Sequence, residues 1–458
     1  MSHKNVDVVV VGAGAAGMSG AVALAESGLQ VVLLDEQGSP GGQIYRGITL
    51  APLARRDMLG PDYARGNSLA QALASSTVQY ESGASVWQVT RDHQVSYLRE
   101  GRLQTLQAKA VLLATGAMER PFPIPGWTLP GVMSAGAAQI LLKSAGLAPG
   151  EPVVLAGCGP LLYLLGWQYL RAGVAIKALV DTTRPEDYWR ARRHLFAALR
   201  AWPYLRKGLD LMRSLRRAGI AHYTGAEHLA IEGTDSASAL SFTAAGKPVR
   251  VATRCVLLHQ GVVPNIQFSQ SLRAQHEWDA AQLCFSPVTD VWGELDVAGV
   301  YVAGDGAGIG GAQAAAVQGE LAALAIACKL KSITPEHRDQ EAASLRAGLD
   351  AHLRIRPFLD ALYRPKDENR IPADDVMVCR CEELTAGEVR AFVKLGCTGP
   401  NQAKSFGRCG MGPCQGRMCG LTVTEVIAHA RGVPASEVGY YRIRPPIKPI
   451  TLGELAGE

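Results

Sequence analysis

Val8-Val-Val-Val11-Gly12-Ala13-Gly14-Ala15-Ala16-Gly17 is the stretch that decides the fold. Four consecutive valines read as a buried strand, and the glycine run after them opens a helix over 18–27. Val31–Leu34 reads as the next strand, which completes a β–α–β unit. The first glycine permits a tight turn, the second lets the backbone approach a pyrophosphate, and the third lets helix and strand pack closely. Ala16 lies in the same turn. The helix start then offers free N–H groups and a positive dipole end to phosphates. Asp35 closes the second strand, where an acid accepts from ribose hydroxyls; Glu36 is the alternative partner, and the count from Gly17 through the Gly28 turn favours Asp35. An acid here disfavours a 2′-phosphate, so the nucleotide is FAD or NAD rather than NADP.

The pattern recurs about 145 residues later, as an internal repeat. Strand 153–156 runs into Gly157-Cys158-Gly159-Pro160-Leu161-Leu162, a helix to about Ala172 and a strand over 175–180. Leu162 stands where the third glycine is expected, and Asp181 is placed to meet a ribose. Two readings stay open: a site for NAD or another adenine nucleotide such as ATP, or a dinucleotide fold that has lost its ligand. Further strands end in Ala114-Thr115-Gly116 and in Gly304-Asp305-Gly306, the latter before an Ala-rich helix over 312–329.

Length and composition fit an ordinary globular protein of about three domains: 458 residues, 48% apolar and 19% charged. A net charge of +5 is too small to imply nucleic acid. Its local source is residues 184–217, where ten Arg or Lys are interleaved with leucines and aromatics. Such a stretch reads as helices packed on the body with a solvated basic face, or as a contact for a membrane surface, a quinone acceptor or an acidic partner. No signal peptide or membrane span is evident, and six of ten cysteines lie after position 378. In an unexported, cytoplasmic protein that clustering argues for a metal site rather than disulfides.

Gly12–Gly17, Gly42-Gln43, Ala114-Thr115-Gly116 and Gly304-Asp305 together resemble the two-dinucleotide-domain flavoproteins related to thioredoxin reductase. The resemblance implies an α/β fold with two Rossmann-like domains, the second inserted in the first. It implies FAD at the first loop, with Asp305 on the ribityl chain and the helix near Gln313 aimed at the flavin carbonyl. Gly42 and Gln43 would line the flavin, Thr115 and Gly116 would lie beside it, and Val86 would meet the adenine. The division expected is 1–117 with 252–330 for FAD and 118–251 for the inserted domain. A helical linker over 331–370, a cluster domain over 371–432 and an extended tail over 433–458 follow. No C-x-x-C occurs in residues 1–330, so disulfide reduction is not expected.

Cys379-Arg-Cys381 is followed after 27 residues by Cys409-Gly-Met-Gly-Pro-Cys414. Two close thiolate pairs suit zinc or an iron–sulfur centre, and the C-x-C spacing leans toward a 2Fe–2S cluster. Residues 379–420 resemble the small helical domain of bacterioferritin-associated ferredoxin. Arg408–Arg417, Glu119-Arg120-Pro121 and Arg444–Pro449 resemble the α subunits of hetero-oligomeric amino-acid and opine dehydrogenases. That group includes D-hydroxyproline dehydrogenase, octopine and nopaline oxidases, dye-linked L-proline dehydrogenase and a hydrogen cyanide synthase subunit. The resemblance implies Cys379, Cys381, Cys409 and Cys414 as ligands, with Cys397 and Cys419 spare. It also implies a partner β subunit with its own FAD that oxidises the C–N bond, a further small ferredoxin-like subunit, and electron relay by this chain. No motif declares a substrate pocket, so no catalytic residue is named. A self-sufficient NADH:acceptor oxidoreductase and a non-catalytic redox scaffold are the other readings.

Overall fold

The valine run forms the strand Lys4–Val11, with Val8, Val9 and Val10 fully buried. It sits inside a seven-stranded sheet, between Val31–Asp35 and Arg102–Leu113, and pairs in parallel with both. Gln79–Ser82 and Val300–Val302 extend the parallel part, and the hairpin Ser85–Val89 and Gln94–Arg99 adds an antiparallel edge. The structure, a computed structural model, describes residues 4–456. Helices Ala15–Glu26 and Ala312–Lys329 cross on this sheet at small residues. A Cβ at Gly319 would stand 2.1 Å from the Ala16 carbonyl oxygen, so only glycine allows this approach.

A second, five-stranded sheet is wholly parallel, in the order Ala221–Thr224, Ile176–Asp181, Val153–Cys158, Cys255–Gln260, Val132–Ser134. Its strands fall, in sequence, between Arg102–Leu113 and Val300–Val302 of the first sheet. A sequence boundary at 252 assigns Cys255–Gln260 to the first unit; the structure pairs that strand with Val153–Cys158 of the second instead. Its six residues are all buried, and a strand buried on both faces pairs wherever an open edge is offered, which periodicity alone does not reveal. A three-stranded antiparallel sheet over 227–252 packs beside it.

The basic stretch forms helices Pro185–Ala191, Leu195–Arg200 and Trp202–Arg217. Leu211 and Leu215 anchor the last on the body, while Trp189, Phe196 and Trp202 remain exposed among the arginines. No helix among the described residues is long and apolar enough to cross a membrane.

The cysteine-rich unit is a short hairpin, Met377–Cys379 with Leu384–Thr385, followed by helices Ala386–Lys394, Pro400–Gly407 and Gly420–Arg431. It shares one apolar core with the first sheet, where Val378, Val423 and Ile427 join Val86, Val95 and Val297. The proline-rich tail lies along the chain's own body. Asn401 donates to the Tyr440 carbonyl, Ile447 N–H donates to Trp87 O at 3.1 Å, and Lys448 pairs with Glu36.

Candidate cofactor sites

The first glycine loop sits at the carboxyl end of the parallel strands, where open α/β sheets bind ligands. Gly12 has φ +102°, and a Cβ there would lie 2.6 Å from the Ala114 carbonyl oxygen; at Gly17 it would lie 1.8 Å from the Gly12 oxygen. Gly14 has ordinary backbone angles, and its Cβ would meet only Gly42 Cα, at 3.9 Å. The space beside Gly14 is therefore a cradle that the loop Gly41–Gln43 borders; Gly41 N–H also donates to Ala13 O. Asp35 is buried and accepts from Ala13 N–H (2.6 Å) and Gln37 N–H (2.7 Å), and burial raises its carboxyl above the usual range despite these bonds. Glu36 stands outside: burial opposes its charge, but Lys448 holds it below the usual carboxylate range.

Thr115 donates to the Asn265 carbonyl, and Gly116 takes φ +64°. Asp305 accepts from the N–H groups of Gly310 and Gly311, both at 2.8 Å, and so fixes the turn into helix Ala312–Lys329. Gln313 lies in that helix's first turn, and Tyr204 Oη reaches its Oε1 at 3.4 Å. Val86 is buried on the edge strand, next to Ala84, whose N–H donates to Asp35 O. Two residues that sequence patterns do not disclose join the group. Arg46 is buried with its Nε unbonded among the described residues, and its charge acts on Asp35. Lys143 is buried and donates to Gln43 O (3.1 Å) and Gln139 Oε1 (2.6 Å); desolvation, with Arg46 near, lowers it to about 7. A buried guanidinium short of partners beside a glycine cradle fits a pyrophosphate.

The second glycine loop is more enclosed. Gly157 and Gly159 have φ +130° and +115°, and a Cβ at Gly157 would overlap the His259 carbonyl oxygen at 1.6 Å. Leu162 is fully buried in helix Pro160–Arg171. Asp181, expected to meet a ribose, is 1% exposed, and both its oxygens are engaged inside the fold, one accepting from Tyr163 Oη and the other from Thr183 N–H. The segment Tyr363–Arg370 crosses the carboxyl ends of the second sheet. Cys158 Sγ reaches Tyr363 O (3.5 Å), Gln260 donates to Asn369 O (3.1 Å), Lys366 pairs with Asp187 and Arg184 with Glu368. A cavity of about 490 Å³ remains beside this segment, where Arg184, Asp187, Arg190, Lys366 and Glu368 largely neutralise one another.

Five of the six late cysteines converge. The Sγ atoms of Cys379, Cys409 and Cys419 lie within 4.8 Å of one another, all buried. Cys414 lies near Cys419 and Cys381, whose thiols help to lower it, and thiol contacts from Cys409 and Cys419 hold Cys379 far below the usual thiol range. Cys419, a spare thiol by resemblance, is thus part of the group; Cys397 is apart, its thiol on Gly399 O at 3.3 Å. The glycines of the loop serve close packing. A Cβ at Gly412 would lie 2.2 Å from Cys381 Cβ, and one at Gly410 would lie 2.4 Å from the ring of the buried Tyr441. Tyr441 comes from the tail, and its hydroxyl lies 3.8 Å from Cys419 Sγ. A tight set of thiols fits a soft metal or an iron–sulfur cluster.

Residues 6–319 match the family model described as pyridine nucleotide-disulphide oxidoreductase, and residues 375–458 match that described as sarcosine oxidase A3 domain. The chain is 47% identical over 460 residues to an opine oxidase subunit of Agrobacterium tumefaciens (strain Ach5), covering 98% of this chain and 91% of that protein. It is 32% identical to hydrogen cyanide synthase subunit HcnB of Pseudomonas aeruginosa, over 97% of both. L-proline dehydrogenase from P. horikoshii shares the fold, with a TM-score of 0.72 at 20% identity over 99% of this chain and 80% of that one. The pyridine nucleotide-disulphide oxidoreductase match indicates FAD. The chain therefore belongs to the pyridine nucleotide-disulphide oxidoreductase family and, within it, to the group that contains this opine oxidase subunit.

Proposed function

We propose that this chain is the FAD-carrying α-type subunit of a multi-subunit amino-acid or opine oxidase, and that it relays electrons rather than attacking the C–N bond. The observation that carries the reading is the end-to-end similarity to the opine oxidase subunit, glycine loops and cysteine unit included. For FAD we assign Gly12, Gly14, Ala16, Gly17, Gly42, Gln43, Val86, Thr115, Gly116, Gly304, Asp305 and Gln313, with Asp35 bracing the loop and Glu36 nearer solvent. Arg46 joins them as a phosphate partner. Cys379, Cys381, Cys409 and Cys414 would hold a 2Fe–2S cluster, which when bound supplies one-electron transfer. This chain's part is to bury Cys379 and Cys409 against the first sheet, with the ring of Tyr441 packed on the same loop, while Cys414 is half-buried and Cys381 faces solvent.

The partner in this reading is an FAD-containing β subunit of amino-acid oxidase type. A small ferredoxin-like subunit is a further electron carrier, and all are cytoplasmic. The crossing of the second sheet by Tyr363–Arg370 favours a bound adenine nucleotide, NAD or ATP, that does not exchange hydride; it speaks against free NADH entry. To test the relay, the chain is expressed alone and with its partner subunits, and dye reduction is assayed with proline, hydroxyproline and opines. Turnover is expected only in the complex, with FAD retained by the isolated chain. Turnover by the isolated chain at the rate of the complex would make this chain the catalytic subunit.

A further inference from the structure

The tail segment 439–442 runs beside the cysteine loop and is held there from two helices. Thr424 Oγ1 donates to Gly439 O at 2.8 Å. Asn401 Nδ2 donates to Tyr440 O (3.1 Å), its Oδ1 accepts the Arg442 N–H (2.7 Å), and Lys404 Nζ donates to Arg442 O (3.3 Å). The residue so framed, Tyr441, is 0% exposed. Its ring lies against two glycines of the loop: a Cβ at Gly410 would stand 2.4 Å from a ring atom, and one at Gly416 would stand 2.6 Å from another. The hydroxyl reaches the thiols, 3.8 Å from Cys419 Sγ, and has no oxygen or nitrogen partner among the described residues. Tyr440 is the contrast next door: its hydroxyl donates to the Gly416 carbonyl at 3.4 Å, and its ring meets Phe285 edge-on at 5.8 Å.

A phenyl ring would fill the place of Tyr441 without taking a hydroxyl out of water. A buried hydroxyl needs an acceptor, and the acceptors at hand are sulfurs. Thiols that ligate a metal lose their protons, which leaves sulfur as the acceptor and the tyrosine as the donor. We propose that Tyr441 donates a hydrogen bond to sulfur in the thiol group and that this bond sets the reduction potential of the cluster held there. Hydrogen bonds to the sulfurs are one of the levers on such potentials. Reduction adds negative charge to the centre, and a donor stabilises the reduced form more than the oxidised one, so the bond raises the potential. The Lys404 ammonium, 4.9 Å from the Tyr441 ring centroid, adds a positive charge beside the ring and acts in the same direction. The tail is thereby part of the redox centre, although it supplies no ligand. The inference rests on reading the thiols as the seat of a 2Fe–2S cluster.

The full chain, Tyr441→Phe and Tyr440→Phe are purified anaerobically. Iron, sulfide and zinc are quantified, and the reduced-cluster EPR signal is followed through a mediated potentiometric titration. Tyr441→Phe is expected to keep its iron and sulfide and to lower the midpoint by about 59 mV, a tenfold change in a one-electron equilibrium. Tyr440→Phe, which loses only a bond to a carbonyl, should titrate with the parent. An unchanged or higher midpoint in Tyr441→Phe, with the cluster in place, would overturn the hydrogen bond and leave the cluster reading standing. An equal drop in Tyr440→Phe would assign the effect to packing and overturn it too. A parent chain with zinc and no iron would overturn both readings. Should Tyr441→Phe lose its cluster, a monofluorinated tyrosine at position 441 decides. It is a stronger donor of nearly the same shape, so the midpoint should rise; an unchanged midpoint would remove the hydrogen bond.

Discussion

Gly14 and Lys143 show two kinds of residue-level constraint around the first loop. Gly14 has ordinary backbone angles and no crowding neighbour nearer than 3.9 Å, so the fold itself tolerates a side chain there. What a side chain would fill is the cradle. Gly14→Val is expected to fold and to purify without flavin absorbance; full flavin content in that variant would remove the assignment of FAD to this loop. Lys143 is constrained by solvation. Its ammonium has lost water for two carbonyl-type partners, and its value of about 7 is well below the ordinary 10.5. Between those two values the unfolded chain binds more protons than the folded one. The cost of the buried charge is therefore fully present below about pH 7 and is relieved as pH rises toward 10.5. Stability should climb across that window, at steepest about 1.4 kcal/mol per pH unit. Lys143→Met should abolish that climb, as read from denaturant midpoints at pH 7 and pH 9. An unchanged climb would assign it to other groups.

The cysteine loop shows what an element can do that its residues cannot do singly. Loop 409–416 folds back on Cys381 and on Tyr441 because Gly410, Gly412 and Gly416 leave no Cβ in the way. It thereby gathers five thiols where a 2Fe–2S cluster takes four. Replacing Cys379, Cys381, Cys409 or Cys414 with Ser is expected to abolish the reduced-cluster EPR signal. Cys397→Ser should leave the signal unchanged, since that thiol is spent on Gly399 O. Cys419→Ser should keep a cluster but shift its g values, because Cys419 touches the ligand sulfurs. Loss of the signal in Cys419→Ser would give Cys419 one of the four places.

Across the whole chain, the linker, the cysteine-rich unit and the tail are bound into the first sheet's unit rather than strung after it. Arg370, at the end of the segment that crosses the second sheet, forms a buried ion pair with Glu425 in helix Gly420–Arg431; both side chains are nearly inaccessible. Removing one partner of such a pair strands a buried charge, at a cost of about 3–5 kcal/mol. Arg370→Leu should therefore lower unfolding stability by that order, and Arg370→Leu with Glu425→Leu should recover most of it. A single variant as stable as the parent would mean that the linker does not hold the cysteine-rich unit in place. The tail follows the same logic. Its prolines suit an extended segment docked on a surface, and the surface it meets is the chain's own, at Trp87 and Glu36.

What depends on neighbours along the chain was legible from the residues alone. A valine strand, a glycine turn and a helix start are local geometry, legible in Val8–Gly17 and again in Val153–Leu162. The grouping of late cysteines is of the same short range. Whatever required two distant segments to meet was settled only by long-range packing. It placed Cys255–Gln260 in the second sheet, turned Asp181 onto Tyr163, and laid Tyr363–Arg370 over the strand ends. It added Arg46 and Lys143 to the flavin side, Cys419 and Tyr441 to the thiols, and Glu119 to His259 across 140 residues. The physical reason is that a buried strand or a buried charge is defined by its partners, and one residue type serves many partners equally well. Which partner it finds is settled only when the cores close.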